Sequence, residues 1–358
     1  MSDASNGAGV SVGQITDPSV GGQPPVGGNP RGGAKSAFGR ILGGAAGRNL
    51  GLVIALIALC IVGAISAGPR FTDVENFMTI IRFASVTGVL SIGVTFVIIA
   101  GGIDLSVGSV LGLATVIPTL SAVQTFAGQS SWLVMVLIAL AVGAVAGLIN
   151  GVVIAYGNVV AFIATLSMLV AARGLAEIFA NRSTQIVRDQ GFLSFFRGDF
   201  LGVSPLIWIF LIVAIAGWVL LNRTTFGRRT IAIGGNLEAA RLAGIKVKRH
   251  TMYLYVLAGL TAGIGAVMMM ARTTVGTSTH GTLYELDVIA AIVVGGTLLV
   301  GGRGTIVGTV FGVLIFAVLT NIFTLNNLNT SVQAVVKGVI IVIAVLLQRR
   351  FAERSSRR

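Results

Sequence analysis

The chain has 358 residues, of which 54% are hydrophobic and only 10% charged, and its mean hydropathy is +0.93. Apolar runs of membrane-spanning length fill most of it, which excludes a soluble enzyme or binding domain and predicts an all-α integral membrane protein. The net charge of +13 does not indicate nucleic-acid binding, because the cations cluster at the termini and in loops flanking the apolar runs, as membrane topology requires.

The N-terminal region, residues 1–48, is rich in Gly, Pro, Ser and Asn and poor in large apolar side chains. Such a segment cannot bury enough surface to offset its ordering entropy, so we predict a disordered cytoplasmic tail. It is not a cleavable signal peptide, since the first apolar run begins far from the start and is long enough to span a membrane. Arg31, Lys35, Arg40 and Arg48 precede that run and favour a cytoplasmic N-terminus.

A transmembrane domain is predicted over residues 49–348, followed by a basic cytoplasmic tail over 349–358. Counting apolar runs of roughly 20 residues gives ten spans, at 49–68, 79–100, 105–126, 132–155, 158–180, 203–221, 251–273, 284–300, 304–325 and 331–348. Ten crossings place both termini in the cytoplasm together with the basic loop 222–250. The segment 181–199, which carries three arginines, falls outside and fits this orientation least well.

The loop 222–250 is the long polar interruption between two apolar blocks. Its cations face a single acid, Glu238, and they are Arg223, Arg228, Arg229, Arg241, Lys246, Lys248 and Arg249. Within the loop we predict a short helix with Asn236 as its N-cap and Gly244 as its stop. A helix this short is marginal alone. It therefore packs on a partner, or it is an amphipathic connector that lies on the lipid headgroups.

Glycines recur inside the spans at helical spacing. Gly143, Gly147 and Gly151 form one series, and Gly259 with Gly263 forms another. Small residues four apart allow helix backbones to approach closely, so these glycines predict packing faces rather than chemistry.

Asp104 lies in GGIDLSVGS (101–109), beside a glycine pair that interrupts the apolar sequence. Its carboxylate can cap the N-terminus of the third span and stay ionised at the cytoplasmic interface. Alternatively it is a gate or substrate contact, because ionisable groups near membrane depth are commonly functional.

Other charged side chains also lie in or near the spans. Arg173 and Glu177 are one helical turn apart and are expected to pair, unless Arg173 faces a polar cavity. Glu285 and Asp287 precede the eighth span near the outer face, where an external gate or partner contact competes with simple solvation at the interface. Lys337 is expected to extend its ammonium group to the outer interface.

Several kinds of chemistry have no sequence support. There is no G-x-x-x-x-G-K-[ST] phosphate loop and no nucleophile with a matching base, so we predict neither an ATPase site nor another enzyme site in this chain. His250 and His280 lack further ligands at metal-binding spacing. What remains is a path through the membrane with a short helix at its cytoplasmic side.

The motifs resemble one family. GGIDLSVGS (101–109), ATLSMLVAARG (164–174), GNLEAARLAGI (235–245) and YELDVIAAIVVGGTLLVGGRGTIVGT (284–309) are similar to the membrane permease subunits of ribose- and other monosaccharide-type ABC importers. The similarity covers nearly all of residues 50–350. Branched-chain amino-acid permeases are distant relatives that lack the GGIDLSVG segment as it stands here.

The resemblance implies a ten-helix permease fold of the vitamin B12-importer type (type II) in the bacterial inner membrane, in contact with lipid. It implies a second permease, identical or homologous, two ATPase subunits that bind ATP and magnesium, and an external sugar-binding protein, with no cofactor on this chain. It also implies that an EAA-like segment docks on the ATPase, comprising Gly235, Asn236, Glu238, Ala239, Ala240, Arg241, Leu242, Gly244 and Ile245.

The sequence marks the residues of the transport path less clearly. Candidate lining or gating residues are Asp104, Ser106, Thr115, Asn150, Thr165, Arg173, Glu285, Asp287 and Asn321. Three alternatives stay open: a proton-coupled secondary transporter that uses Asp104, Glu177 or Asp287, an ABC permease for an amino acid or nucleoside, and a membrane scaffold without transport activity.

Overall fold

The computed structural model describes residues 45–356; residues 1–44 and 357–358 lie outside it. The predicted N-terminal tail over 1–48 therefore falls almost wholly outside the described residues and remains a prediction. Of the predicted basic tail over 349–358, the described part continues as helix to Ser356.

The described chain is built almost entirely from helices, which confirms the predicted helical class. In chain order the elements are α1 (Ala45–Ala67), α2 (Pro69–Thr72), α3 (Val74–Ile99), α4 (Val107–Thr119), α5 (Ser121–Gln129), α6 (Leu133–Ala155), α7 (Ala161–Phe179), β1 (Gln185–Ile186), α8 (Gln190–Arg197), α9 (Pro205–Arg223), α10 (Thr225–Gly235), α11 (Leu237–Leu242), α12 (Val247–Thr273), β2 (Val275–Gly276), α13 (Tyr284–Val294), α14 (Ile306–Leu325) and α15 (Thr330–Ser356). The two short strands pair antiparallel, with Gln185 opposite Gly276.

Within the described residues, seven helices are long and apolar enough to cross a membrane, and eight if the bent pair α4 and α5 counts as one span. The two remaining predicted spans are not among these. The first, 284–300, contains the helix α13 of only 11 residues, which at 1.5 Å per residue covers about half of a hydrocarbon core of about 30 Å. The second, 331–348, lies within α15, a helix of 27 residues.

The predicted third span, 105–126, is not one continuous helix. It is broken between α4 and α5, whose axes differ by 59°. Pro118 lies in the last turn of α4, and Leu120 has extended backbone at the break. Because proline lacks an N–H and collides with the preceding turn, it favours a bend here.

The centre of the protein is formed by α3 and α12, since 78% of the apolar stretch of each is buried. The predicted glycine faces join α12 to α6. A Cβ atom on Gly143 would lie 2.1 Å from the carbonyl oxygen of Gly259, and one on Gly147 would lie 2.2 Å from that of Tyr255. The two backbones are therefore in direct contact, and the prediction of a packing role is confirmed.

One end of the bundle carries α10 and α11, together with the end of α3 and the loop between α13 and α14. Gly302 in that loop donates from its N–H to the carbonyl of Ile99 at 2.8 Å. The opposite end carries α2, α8 and the paired strands β1 and β2. Between β2 and α13, residues 277–283 fold back along α4, so that Gly281 lies against the backbone of Gly108. We call residues 277–283 the inserted segment.

Candidate functional site

The short helix α11 begins and ends as its sequence predicts. The side-chain oxygen of Asn236 accepts a hydrogen bond from the N–H of Ala239 at 2.9 Å. At the other end Gly244 has φ +80°, its N–H donates to the carbonyl of Arg241 at 3.0 Å, and the N–H of Ile245 donates to that of Ala240 at 3.1 Å. This left-handed glycine with two reversed hydrogen bonds satisfies the terminal carbonyls of a helix of only 6 residues.

The apolar side chains of α11 are largely uncovered by the rest of the described chain. Ala240 is its one buried residue at 4% exposure, whereas Leu237 is 51% and Leu242 88% exposed. Glu238, Ala239 and Arg241 are exposed as well. A rigidly capped helix that presents two leucines outward offers a ready contact surface for another protein.

A cavity of about 450 Å³ lies beside α11, between α10 and the start of α12. Its lining includes the cations Arg229, Lys246 and Arg249 next to Gly244 and Ile245. The surface around α11 therefore favours a partner with acidic side chains.

Three glycine pairs connect α11 to the rest of the bundle: Gly101–Gly102, Gly234–Gly235 and Gly301–Gly302. A Cβ atom on Gly234 would lie 1.8 Å from the carbonyl oxygen of Ile99 and 2.6 Å from the nitrogen of Gly302, and one on Gly301 would lie 2.9 Å from the nitrogen of Gly101. We call this contact of backbones the glycine junction. The end of α10 is therefore in direct backbone contact with the end of α3 and with the loop before α14.

The predicted path residues separate into three places, and the first is a buried chain of hydrogen bonds. Asn150 donates to Ser106 Oγ at 2.9 Å, and Ser106 donates to Asp104 Oδ1 from its hydroxyl at 2.7 Å and its N–H at 2.8 Å. The N-cap residue of α4 is Ser106, which has no side-chain capping bond. Asp104 thus closes the turn before α4 but does not cap the helix N-terminus, although one interpretation expected it to. It is only 3% exposed, so the expectation that it lies at the solvated interface is wrong. Tyr255 closes the same region by donating to the carbonyl of Ile103 at 3.2 Å.

The second place is the contact between Arg173 and the inserted segment. Arg173 Nη1 donates to the carbonyl of Ser278 and to that of His280, the latter at 2.9 Å. The expected pairing with Glu177 is not what forms, since Glu177 Oε2 lies 3.9 Å from Arg182 Nε. The inserted segment brings carbonyl oxygens within reach of Arg173, and a guanidinium group binds such acceptors well.

Glu285 and Thr115 lie at the contact between Arg173 and the inserted segment, whereas Thr165 does not. Glu285 Oε2 is buried without a hydrogen-bond partner in the described part of the chain. Thr115 Oγ1 donates to the carbonyl of Gly112 at 2.8 Å. Thr165 is buried in α7, where it donates to the carbonyl of Ala161 at 2.8 Å, which is an ordinary bond within a helix.

The third place contains Asp287 and Asn321. Lys337 Nζ lies 3.1 Å from Asp287 Oδ2, so the ammonium group that was expected to extend to the outer interface is paired with a carboxylate. Asn321 exchanges hydrogen bonds with Asn76 at 2.7 and 3.2 Å. Asp287, Asn321 and Lys337 line a cavity of about 320 Å³ between α3, α13, α14 and α15, which we call the Asp287 cavity.

Sequence reasoning missed the inserted segment and the partners on α3. The segment reads as a polar loop, and its return into the bundle depends on distant contacts with α4 and α7. The signal that could have indicated it is the run TTVGTSTHGT (273–282), whose glycines permit close backbone approach and whose hydroxyls can bond inside a protein. Asn76 and Thr79 gave no local signal, because they resemble any polar residue near a span end.

His280 is half-buried in the inserted segment. Its Nδ1 is 3.2 Å from Thr115 Oγ1, and its Nε2 is 3.5 Å from Thr273 Oγ1. Burial, together with the nearby guanidinium groups of Arg272 and Arg173, lowers the pKa of His280 to about 4. Within residues 45–356, no group of three or more His, Cys, Asp or Glu side chains could hold a metal ion.

We expect the protein to lose stability as the pH falls from about 6.5 to about 4, because unfolded histidine titrates near pH 6.5 and then binds a proton that folded His280 does not. Above that window His280 is neutral in both states and contributes no pH dependence. The midpoint of thermal unfolding in detergent, measured across this range, should fall less steeply in His280→Gln than in the parent. Equal slopes in the two proteins would contradict the assignment.

Comparison with known proteins identifies the family. Residues 76–345 match the family model described as branched-chain amino acid transport system / permease component. No solved structure matches the chain.

Curated relatives match over most of their length. The ribose import permease protein RbsC of Bacillus subtilis strain 168 is 43% identical over 85% of this chain and 93% of its own, and that of Escherichia coli K12 is 40% identical over 84% and 92%. The galactose/methyl galactoside import permease protein MglC of Escherichia coli K12 is 37% identical over 82% of this chain and 92% of its own. The chain therefore belongs to this family of transport permeases, as the four sequence motifs predicted.

Proposed function

We propose that the chain is the permease subunit of an ATP-driven ABC importer for a monosaccharide, either a pentose, a hexose or a related polyol. It is a multi-pass protein of the inner membrane. The proposal is supported by relatives named as ribose and galactose import permeases, at 36–43% identity over most of the chain.

The proposed assembly contains a second permease, identical or homologous, and an external sugar-binding protein. Two cytoplasmic ATPase subunits bind ATP and magnesium, while this chain binds no cofactor and has no ATPase site of its own. In this proposal the chain crosses the membrane ten times in a type II permease fold, with α13 as a shortened crossing and both termini in the cytoplasm. The end that carries α10 and α11 then faces the ATPases.

The observation that carries the proposal is the exposure of Leu237 and Leu242 on a helix capped at both ends. Two exposed leucines on a solvated surface helix need a partner to cover them. The neighbouring cations Arg229, Lys246 and Arg249 keep this end of the protein in an aqueous compartment and add charge complementarity to an acidic partner.

Coupling then requires that the ATPases hold α11 differently with and without ATP. Closure of the ATPase dimer displaces α10 and α11, and the glycine junction passes the displacement to α3 and to the loop before α14. Helix α3 and helix α14, which follows the loop, both line the Asp287 cavity, so the same movement reaches that cavity. Such a movement of the helices opens the transport path alternately to the two sides of the membrane.

The proton-coupled alternative has less support from the geometry. A proton relay needs acids linked to one another, but Asp104 is bonded to Ser106, Glu177 lies next to Arg182 and Asp287 is paired with Lys337. An amino acid is the second candidate substrate, because the family description names branched-chain amino acids.

Leu242→Glu is expected to abolish binding of the ATPase subunits, because burying a charge in place of a leucine removes an interface anchor worth about 2 kcal/mol, or roughly 30-fold in affinity. The side chain is 88% exposed in the permease alone, so the protein should insert and fold as before. Co-purification with the ATPase and ATP-dependent uptake of ribose or galactose in proteoliposomes are the two measurements.

Leu242→Met is the matched control, since it keeps an apolar side chain of similar volume and should preserve both binding and uptake. A Leu242→Glu variant that still binds the ATPase would remove α11 from the interface. Uptake by the purified chain under a proton gradient, without any ATPase, would overturn the importer proposal itself.

A further inference from the structure

The Asp287 cavity combines an ion pair, threonine hydroxyls and apolar side chains around one space. It is lined by helical faces of α3, α13 and α14 and is closed by Lys337 of α15. Its volume of about 320 Å³ is at the lower end of the range of about 300–1,000 Å³ for small-molecule sites. The space therefore suits a small solute better than a long acyl chain.

Threonine hydroxyls form much of its polar surface, and they present acceptors. Thr87 donates to the carbonyl of Ala84 at 3.2 Å, Thr320 to that of Phe316 at 2.8 Å and Thr324 to that of Thr320 at 2.9 Å. Each donor is thus used within its own helix, while the lone pairs of each oxygen remain free to accept. A bound solute should supply hydroxyl donors to meet them.

The ion pair supplies both kinds of hydrogen-bonding group without net charge. Lys337 Nζ lies 3.1 and 3.2 Å from the two carboxylate oxygens of Asp287. Their side chains are 18% and 26% exposed, so the pair is not fully enclosed by protein. An ammonium group has three donors and a carboxylate about four acceptor sites, which leaves capacity on each for a neighbouring pair of hydroxyls. Since the two charges cancel, the pair favours a neutral solute over an ion.

Apolar walls complete the cavity. Phe83, Val313, Phe316 and Ala317 line it together with the polar groups. The Arg272 guanidinium lies 4.3 Å from the centre of the Phe83 ring and fixes that ring from outside the cavity. A solute whose own ring is polar around its edge and carries C–H groups on its faces matches both these apolar walls and the hydroxyl oxygens that accept hydrogen bonds.

We propose that the Asp287 cavity binds a neutral, polyhydroxylated solute of monosaccharide size, with its hydroxyls on Asp287, Lys337 and Thr320. The inference rests on the proposed import of a monosaccharide and adds a site for the sugar inside the permease. A zwitterionic amino acid fits less well, because its ammonium and carboxylate groups would compete with the ion pair between Lys337 and Asp287.

The test uses the permease in complex with its ATPase and binding protein, with D-ribose, D-galactose and L-leucine as probes. Thr320→Val removes one acceptor at nearly constant shape, and Ala317→Phe fills the cavity. Asp287→Asn combined with Lys337→Gln removes both charges together, so that neither is left unpaired. Each variant should raise the KM for the transported sugar by about 10-fold or more, as expected when a site loses hydrogen bonds to substrate hydroxyls. Equilibrium binding of labelled sugar to the permease in nanodiscs should weaken in parallel.

Ala216→Phe is the matched control for the cavity-filling variant, because Ala216 is exposed on α9 and does not line the cavity. It should leave the KM unchanged. Unchanged KM and binding in both Thr320→Val and Ala317→Phe, with import intact, would overturn the site while the proposed function stands. Tighter binding of L-leucine than of either sugar, or a co-purifying lipid that Ala317→Phe displaces without any effect on sugar, would also overturn it. Failure of the parent complex to import either sugar with ATP would defeat the proposed function and the site together.

Discussion

Gly234→Ala is expected to abolish ATP-driven uptake, whereas Gly128→Ala on α5 should leave it nearly unchanged. The new methyl carbon on residue 234 would lie 1.8 Å from the carbonyl oxygen of Ile99. The carbonyl oxygen of Ile99 is a backbone atom and cannot turn aside as a flexible side chain could, so the two backbones would have to separate. Such overpacking costs about 1–3 kcal/mol or more. The separation occurs at the glycine junction, where movement of α11 is passed to α3.

Gly128 provides the control because a Cβ atom there would meet nothing within 4 Å. Alanine also suits a helix better than glycine by up to about 1 kcal/mol, so Gly128→Ala should be neutral or slightly stabilising. ATPase activity and sugar uptake in proteoliposomes separate the two effects. The result expected for Gly234→Ala is ATP hydrolysis that no longer drives uptake, with the ATPase still bound. Normal uptake in Gly234→Ala would show that the glycine junction transmits nothing.

Gly147→Val is expected to destabilise the whole transmembrane bundle. A Cβ atom at this position would lie 2.2 Å from the carbonyl oxygen of Tyr255, so valine would force α6 away from the buried helix α12. At about 3 kcal/mol, the upper end of the usual overpacking cost, the midpoint of thermal unfolding should fall by about 6–12 °C. Thermal unfolding in detergent, followed by size-exclusion chromatography, gives this midpoint directly.

Gly174→Val is the matched control, because Gly174 also lies within a membrane helix, α7, but a Cβ atom there meets nothing within 4 Å. Its unfolding midpoint should stay close to that of the parent. A similar loss in both variants would mean that the penalty comes from removing glycine as such and not from the contact between α6 and α12.

Features that depend on neighbours in sequence were predictable. The caps of α11 follow from Asn236 and Gly244, whose effects act within one turn of the helix. The glycine faces of α6 and α12 were predictable for the same reason, since the spacing of Gly143 and Gly147 alone places them on one side of a helix. Membrane insertion followed from the length and hydropathy of the apolar runs.

Features that depend on distant contacts were not predictable. Hydropathy counts the 284–300 run as a span, but it does not reveal that the helix ends at Val294. The break between α4 and α5 was hidden within one apolar run. Lys337 and Asp287 are 50 residues apart, and Arg173 bonds to carbonyls more than 100 residues away, so no local pattern could join either pair.

Arg173 holds the inserted segment by its main chain, through the carbonyls of Ser278 and His280. Every amino acid at those two positions would present the same oxygen atoms. These two hydrogen bonds are thus indifferent to the side chains at positions 278 and 280, whereas position 281 must stay glycine, because a Cβ atom there would lie 2.2 Å from the carbonyl oxygen of Gly108. An arginine-to-lysine exchange at position 173 would not be tolerated in the same way, because an ammonium group cannot reproduce the planar geometry of a guanidinium group.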